Sequence, residues 1–300
     1  MSLRISIIIP HLNQPAFLER CLASLAPQIA TFRDAEVIVV DNGSRELPSA
    51  VVGKYKWACL EQEREAGPGP ARNRGIAVAK GDLLAFIDAD CLAHPDWLAA
   101  LVGVFDAHPE RDVLGGDVRI ALLDSSRPTM LEAYESVFAY RQEEYIAKHR
   151  FSGTGNLAMR RSAFDKVGAF AGIGIAEDMD WGRRADIAKV VIHYVPTMIV
   201  YHPARTTFAE LSKKWDRHTV HFFNEKPRGL VGRITWLGLT AAVAVSAVLD
   251  LQKILASERI ETWREAALAA IMLFRIRAYR AWRMAQVAFQ RGNKGPQWNS

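Results

Sequence analysis

Three times in its first ninety residues the chain runs through four or five apolar residues and stops abruptly at a turn, which narrows its possible folds more than any other feature. Ile5-Ser6-Ile7-Ile8-Ile9 is halted by Pro10. Val37-Ile38-Val39-Val40 ends at Asp41-Asn42-Gly43-Ser44, and Leu83-Leu84-Ala85-Phe86-Ile87 ends at Asp88-Ala89-Asp90. Short, continuous, β-branched runs of this kind read as strands buried on both faces. A weaker strand at 57–61 leads into Gly67-Pro68-Gly69-Pro70. Between the strands, Phe17, Leu18, Cys21, Leu22 and Leu25 recur at helical spacing and stop before Pro27. A helix is expected from Ala71 to Ala79, and another opens at Pro95 and runs to Ala107. Strands alternating with helices of this length predict an α/β fold: a mostly parallel sheet with helices on both faces. Such sheets bind ligands at the carboxyl ends of their strands, where Pro10, Asn13, Asp41 and Asp88 all fall.

The stretch 112–205 is more mixed, with strands expected near 113–121, 155–159, 190–195 and 198–201 and helices near 129–147, 161–167 and 177–188. One more helix is expected from Phe208 to Asn224. Composition changes after Pro227-Arg228-Gly229, which sets an expected domain boundary there: 1–229, divided into halves at 110/111, then 230–300. Three scattered cysteines without a C-x-x-C pair point to free thiols in a reducing compartment. The short apolar run before Pro10 is no signal peptide, so a cytoplasmic protein is expected.

Asp88-Ala89-Asp90 carries the first chemistry. Two carboxylates at i and i+2 beyond a strand end can both reach one hard cation, with diphosphate oxygens completing its shell. A divalent ion there neutralises the charge that builds on a departing nucleoside diphosphate. The chain resembles family-2 glycosyltransferases of the GT-A (Rossmann-like) fold. The resemblance rests on Ser6-Ile7-Ile8-Ile9-Pro10, Val39-Val40-Asp41-Asn42-Gly43-Ser44, Gly69-Pro70-Ala71-Arg72-Asn73-Arg74-Gly75 and Asp88-Ala89-Asp90. It continues through Gly153-Thr154-Gly155-Asn156-Leu157-Ala158-Met159-Arg160-Arg161, Val167-Gly168-Ala169-Phe170, Glu177-Asp178-Met179-Asp180 and Tyr201-His202. In that order and spacing, from residue 4 to 205, the motifs are specific together although no single one is.

The resemblance implies an inverting transfer of a sugar from a nucleoside diphosphate, uridine or thymidine for preference, to a hydroxyl of a glycan or lipid-linked acceptor. Asp41 is expected at the nucleotide base with Pro10 and Asn13, Asp88 at the ribose, and Asp90 with His202 on Mn²⁺ or Mg²⁺. Arg72, on the first turn of its helix, is expected at phosphate. The implied general base is Asp178, beside Glu177; a carboxylate there takes the acceptor proton as the anomeric carbon is attacked. Gly153, Asn156 and Trp181 are expected to border the acceptor cleft. Two departures stand out: Asp-Asn-Gly-Ser where many relatives carry Asp-Asp-Gly-Ser, and a stiff Gly-Pro-Gly-Pro before Ala71-Arg72-Asn73.

Three rival functions fit less well. A sugar-1-phosphate nucleotidyltransferase needs a glycine-rich basic loop after its first strand, where this chain has His11-Leu12-Asn13-Gln14. A dinucleotide oxidoreductase needs G-x-G-x-x-G there, which is missing. A non-catalytic scaffold of the same fold would have no reason to keep Asp88, Asp90, Asp178 and His202. A nucleic acid is not an expected partner, and homo-oligomerisation is left open.

The net charge of +5 is concentrated at one end. Residues 230–300 carry ten Lys or Arg against four Asp or Glu, a surplus of six. The same segment holds sixteen uncharged residues, Ile234 to Leu249, short of the roughly 20 that span a bilayer. Farther on, Ile271, Phe274, Ala278, Ala281, Ala285 and Phe289 share a helical face, with Arg277, Arg280 and Arg283 largely opposite and Leu273 and Met284 blurring the division. Two helices that pack together are expected. With Tyr279 and Trp282 nearby, the arginines are expected to hold residues 230–290 to an anionic membrane surface at its cytoplasmic face.

Overall fold

The computed structural model describes residues 4–224 and 230–289. The expected boundary at 229 and the final basic residues Arg291 and Lys294 lie outside the described residues, as does the Phe289 side chain. The chain begins β1 (Ile5–His11), α1 (Pro15–Thr31), β2 (Ala35–Asp41), α2 (Ser49–Val52), β3 (Ala58–Gln62), α3 (Pro68–Val78) and β4 (Leu83–Ile87). It continues with β5 (Leu92–Ala93), α4 (Trp97–Ala107), β6 (Val113–Ala121), α5 (Met130–Phe138), α6 (Gln142–His149), β7 (Asn156–Arg160), α7 (Arg161–Val167), α8 (Glu177–Ile187) and β8 (Ile192–Pro203). It ends with α9 (Phe208–Asn224), α10 (Leu230–Leu249), α11 (Leu251–Leu255) and α12 (Trp263–Phe289).

One eight-stranded sheet orders these strands β3-β2-β1-β4-β7-β6-β8-β5. The first four neighbours are parallel, β7 runs against β4 and β6 against β7. β1, β2, β3, β4 and β6 therefore share one direction, and the sheet is mostly parallel. Both its faces are dry, which is why the strands read as unbroken apolar runs. Ile7, Val39 and Ala85 bury against α1 and α4, while their neighbours Ile8, Val40 and Phe86 bury against α3 and α8.

Register sets out the functional ends. His11 at the end of β1 stands opposite Asp41 at the end of β2. Asn156 opens β7 opposite Ile87, beside the Asp88-Ala89-Asp90 turn. β5 pairs with β8 through Leu92–Tyr201 and Ala93–Val200, so antiparallel pairing carries His202 back to Asp90.

Several elements differ from expectation. α1 passes through Pro27, because Gln28 donates to the Ser24 and His94 carbonyls and accepts from the Leu98 amide, anchoring the turn that the proline cannot bond. α3 starts at Pro68, where proline suits a first helical turn, so Arg72 lies on the second turn. The single helix expected over 129–147 is two, broken where Tyr140 takes a positive φ of 47°. The strands expected at 190–195 and 198–201 are one, β8.

Contacts divide the chain into residues 1–119 with 140–203, which hold the sheet ends just described, and residues 120–139 with 204–300. In the second unit α5, α9 and α11 bury Leu131, Leu211 and Ile254 against Ala269, Met272, Leu273 and Ile276 of α12. Trp236 of α10 packs on Met284 and donates to its carbonyl at 2.8 Å.

This packing reverses the faces expected of α12. The arginine face is inside: Arg277 pairs with Asp250, Arg283 with Asp216 at 3.2 Å, and the Arg280 guanidinium lies 3.5 Å over the Trp215 ring. Tyr279 donates to Asp216 at 2.9 Å. The face carrying Ile271, Phe274 and Ala278 is exposed, together with Trp263 (85 % exposed) and Trp282 (55 %). Leu273 and Met284, which blurred the pattern, mark the true core face, and the acidic partners come from other helices. Asp250, paired with Arg277 and Lys253, no longer limits the apolar stretch. Ile234–Leu255, 22 residues and mostly unburied, is long and apolar enough to cross a membrane.

Candidate active site

Asp88 and Asp90 stand in the turn that leaves β4, and their surroundings separate their roles. The Asp88 carboxylate receives Arg72 Nη2 at 2.7 Å. Its other oxygen lies 2.6 Å from where a Cβ on Gly155 would stand, so a side chain at 155 would push this carboxylate aside. Asp90 faces His202, whose Nε2 is 3.4 Å from Asp90 Oδ2. Burial pushes the Asp90 carboxyl up; His202 pulls it down and Asp88 adds to the rise.

His202 is held in one tautomer. Nδ1 lies 2.7 Å from the Pro203 carbonyl, an acceptor only, so Nδ1 carries the proton and Nε2 presents its lone pair toward Asp90. The Tyr140 ring lies tilted against the imidazole, centroids 4.5 Å apart, and its hydroxyl, 2.9 Å from Nε2, uses the lone pair that a bound cation would take over. An imidazole lone pair and a carboxylate oxygen converging this closely, with the imidazole braced through its second nitrogen, suit a divalent cation. Cys91 lies beside this pair. Burial pushes its thiol well up, with Asp88 and Asp90 adding to the rise, although Cys91, Asp90 and His202 offer ligand atoms within 4.8 Å of one another. All three cysteines are free.

Asp41 is 2 % exposed. One oxygen accepts from His11 Nδ1 at 2.9 Å and the other from the amides of Gly43 and Ser44 at 3.2 and 3.0 Å. The Gln14 amide donates to His11 Nε2, which leaves the ring proton on Nδ1 for Asp41. Burial raises this carboxyl, but the bonds from Ser44 and His11 outweigh it and hold Asp41 below the usual carboxylate range. It is thus held as an ionised acceptor. Asn13, at φ 54°, accepts the Arg45 amide and donates its own amide to Ser44, tying the β1 loop beside Pro10 to the β2 loop.

The Asp-Asn-Gly-Ser departure has a physical reason. Asn42 donates to the Glu63 and Glu65 carbonyls and accepts from the Gly67 amide. Aspartate there would set a charge against two carbonyl oxygens, so the amide is what holds the β3–α3 loop. The Gly-Pro-Gly-Pro stretch is also steric: a Cβ on Gly69 would lie 2.0 Å from the Ala171 oxygen.

At the start of α8 the two acids part company. Glu177 receives Arg72 Nη1 at 3.0 Å. Asp178 is half-buried and accepts the Met179 amide at 2.7 Å. Burial raises its carboxyl, the Met179 amide and Arg72 pull it down, and Glu177 adds to the net rise.

Three expected placements are corrected. Trp181 is 1 % exposed, donates to the Gly168 carbonyl and packs on Phe170, so it belongs to the core and cannot stack on a sugar. Asn156 is wholly buried: its amide donates to the Asp117 and Met198 carbonyls, and its oxygen accepts the Trp97 indole N–H. Gly153, which is not one of the three, is bonded at both N and O by Gln142, which fixes its loop. Arg72 is 2 % exposed with both terminal nitrogens on carboxylates, which takes it from phosphate. Sequence reasoning missed His11, Tyr140 and Gln142. A histidine register-matched to Asp41 was findable; Tyr140 and Gln142 carry no local signal.

Residues 6–168 match the sequence profile of Glycosyl transferase family 2. Glycosyltransferase AglE of Haloferax volcanii is 32 % identical over 216 residues, 70 % of this chain and 70 % of that protein. The pre-mycofactocin glycosyltransferase of Mycobacterium tuberculosis is 29 % identical over 211 residues, 67 % of this chain but 43 % of its own length. Among solved structures, the mannosyltransferase PcManGT of Pyrobaculum calidifontis, in complex with GDP-Man and Mn²⁺, aligns with TM-score 0.58 at 17 % identity, over 96 % of this chain and 87 % of that one. Glucosyl-3-phosphoglycerate synthase of M. tuberculosis, with Mn²⁺ and UDP, aligns with TM-score 0.52 at 24 % identity, over 69 % and 74 %. The fold is that of GT-A glycosyltransferases, and the chain belongs to glycosyltransferase family 2.

Proposed function

We propose that this protein is an inverting, metal-dependent glycosyltransferase that uses a nucleoside-diphosphate sugar, uridine or thymidine for preference. The observation that carries the reading is that Asp90 and His202 meet beyond the end of β4, where Arg72 ties the neighbouring Asp88 to Glu177, beside Asp178. Asp90 and His202 would hold Mn²⁺ or Mg²⁺, and the metal, when bound, neutralises charge on the leaving diphosphate. Asp88 takes the ribose. Asp41, fixed as an ionised acceptor, suits a base that offers a ring N–H, as uracil, thymine and guanine do and cytosine does not. Asp178 takes the proton of an acceptor hydroxyl as its oxygen bonds to the anomeric carbon; the bond from that carbon to the diphosphate oxygen breaks on the opposite face. Its raised pKa keeps it a usable base in a half-buried site, and Glu177, tied to Arg72, is not free to share the task.

Nucleotide binding is supported by relatives of both kinds: a mannosyltransferase with GDP-Man and a synthase with UDP. The test is hydrolysis of a panel of UDP-, dTDP- and GDP-sugars with and without Mn²⁺. Turnover that needs Mn²⁺ and disappears in Asp90→Ala supports the reading. Full turnover in EDTA refutes it.

The acceptor in this reading is a glycan or lipid-linked hydroxyl in polysaccharide or glycolipid synthesis, met at the cytoplasmic face of a membrane. What supports this is the apolar α10, together with the exposed Trp263, Ile271, Phe274 and Trp282 of α12. The apolar faces replace the arginines as the lipid contact. Vesicle flotation of the whole protein should then survive high salt, because buried area rather than charge holds it. Flotation that is lost in salt, or absent, refutes the apolar contact.

A further inference from the structure

Arg72 sits on the helix that follows the third strand, within the half of the sheet expected to bind the donor, yet neither of its terminal nitrogens faces a donor. Nη2 is 2.7 Å from Asp88 at the end of β4, and Nη1 is 3.0 Å from Glu177 at the start of α8. Its side chain is almost wholly buried, and Nε has no hydrogen-bond partner among the described residues. A buried guanidinium with planar, directional donors fixes two carboxylates in distance and angle at once, which a flexible ammonium cannot do. The two anchor points belong to different tasks: Asp88 stands two residues from the expected metal ligand Asp90, and Glu177 is adjacent to the expected base Asp178.

We propose that Arg72 is a positioning residue, a buried strut between Asp88 and Glu177 that sets how far the Asp178 carboxylate stands from the donor. This rests on the reading of Asp178 as base given above. The local sterics act with the strut. A Cβ on Gly182 would come within 2.4 Å of Phe151, and one on Gly69 within 2.0 Å of Ala171, so the start of α8 and the loop before it have little room elsewhere. Arg72 holds the acid that remains, Glu177, as a tether.

The experiment uses the full chain and the nucleotide-sugar that the wild type hydrolyses fastest from a panel of UDP-glucose, UDP-N-acetylglucosamine and GDP-mannose. Glu177→Ala and Arg72→Lys should each lower kcat for hydrolysis about ten- to hundredfold, the usual effect of misplacing a reacting group by about an ångström. The double variant should be no slower than the slower single one, because both cut the same strut. Binding of Mn²⁺ with UDP or GDP, by calorimetry, should stay within about threefold of wild type in Glu177→Ala. In an Asp178→Asn background, Glu177→Ala should cost nothing further, because Glu177 acts through Asp178. Glu177→Gln, which keeps an acceptor oxygen for Nη1, should recover most of the rate. Arg72→Lys that weakens Mn²⁺–nucleotide binding tenfold with kcat intact makes Arg72 a phosphate ligand and overturns the proposal, as do losses that multiply in the double variant. If Arg72→Lys does not fold, the Glu177 variants carry the test alone. Should Asp178→Asn keep the wild-type rate, the base assignment fails; the strut is then judged by amide exchange over 176–182, which must quicken in Glu177→Ala or the strut fails too.

Discussion

Replacing Asn156 by alanine takes three hydrogen bonds out of the floor of the site. The Trp97 indole N–H loses its acceptor at 2.9 Å in a fully buried setting, and the Asp117 and Met198 carbonyls each lose a donor at 2.7 Å. An orphaned buried donor costs about 1–3 kcal/mol, and each lost amide–carbonyl bond about 0.5–1.5 kcal/mol, which together make roughly 2–6 kcal/mol. Domains of this kind hold only about 5–15 kcal/mol in all, so the loss takes a large share of the stability. At about 2–4 °C per kcal/mol the midpoint of thermal unfolding should fall by roughly 5–20 °C. Asn156→Asp keeps the shape but turns the donor end toward two carbonyls as an acceptor, so it too should melt early. The assay is unfolding by heat and by urea, followed by tryptophan fluorescence, beside nucleotide binding at a temperature where the variant is still folded. If Asn156 were an acceptor contact, as its motif suggests, both variants would melt like wild type and lose activity alone. That result would refute the placement.

Asp178→Asn should slow transfer by roughly 10²–10⁴ with donor affinity unchanged; a surviving rate refutes the base assignment. Because burial holds this carboxyl above its ordinary value, the ionised base is lost as pH falls through the raised pKa, so the acid limb of kcat should lie above ~3.9 and vanish in Asp178→Asn. The ionised form is also disfavoured in the fold, so Asp178→Asn should melt higher than wild type at neutral pH. That gain should fade below ~3.9, where the wild-type group is protonated in both folded and unfolded states, and melting curves at two pH values read it directly. Asp90→Ala should lose Mn²⁺-dependent binding of UDP or GDP in calorimetry; unaltered binding sinks the metal site. Gly69→Ala should gain up to about 1 kcal/mol of helix propensity but lose more, since its Cβ would stand 2.0 Å from a backbone oxygen and overpacking costs about 1–3 kcal/mol. A net rise in its urea midpoint would show that the 170–175 loop yields freely.

The sheet was legible because its strands are buried on both faces: Ile5–Ile9, Val37–Val40 and Leu83–Ile87 have no polar side to blur the pattern. The positions of Asp41, Asp88 and Asp90 followed, since strand ends are local and turn residues mark them. Glu177 and Asp178 were legible as a pair for the same local reason. What each does was not, because the difference lies in Arg72, over a hundred residues earlier, which holds one and leaves the other. Trp181 and Asn156 were misread from motif order alone. An aromatic or an amide beside a site looks the same in sequence whether it faces a ligand or the core.

The tail shows most plainly where sequence ends and tertiary structure takes over. Periodicity by itself determined that Ile271 to Phe289 form a helix with one apolar and one basic face. It could not determine which faces in, since a helix turns its stronger side to whatever partner packs against it. Asp216 of α9 and Asp250, at the junction of α10 and α11, reach Arg283 and Arg277, and Trp215 covers Arg280, so the charged side is turned inside. Ile271, Phe274 and Trp282 are left outside. Sequence determined each element from interactions within a few residues. Tertiary structure decided the partners of its charges, because an ion pair between distant helices depends on a geometry that local spacing does not encode.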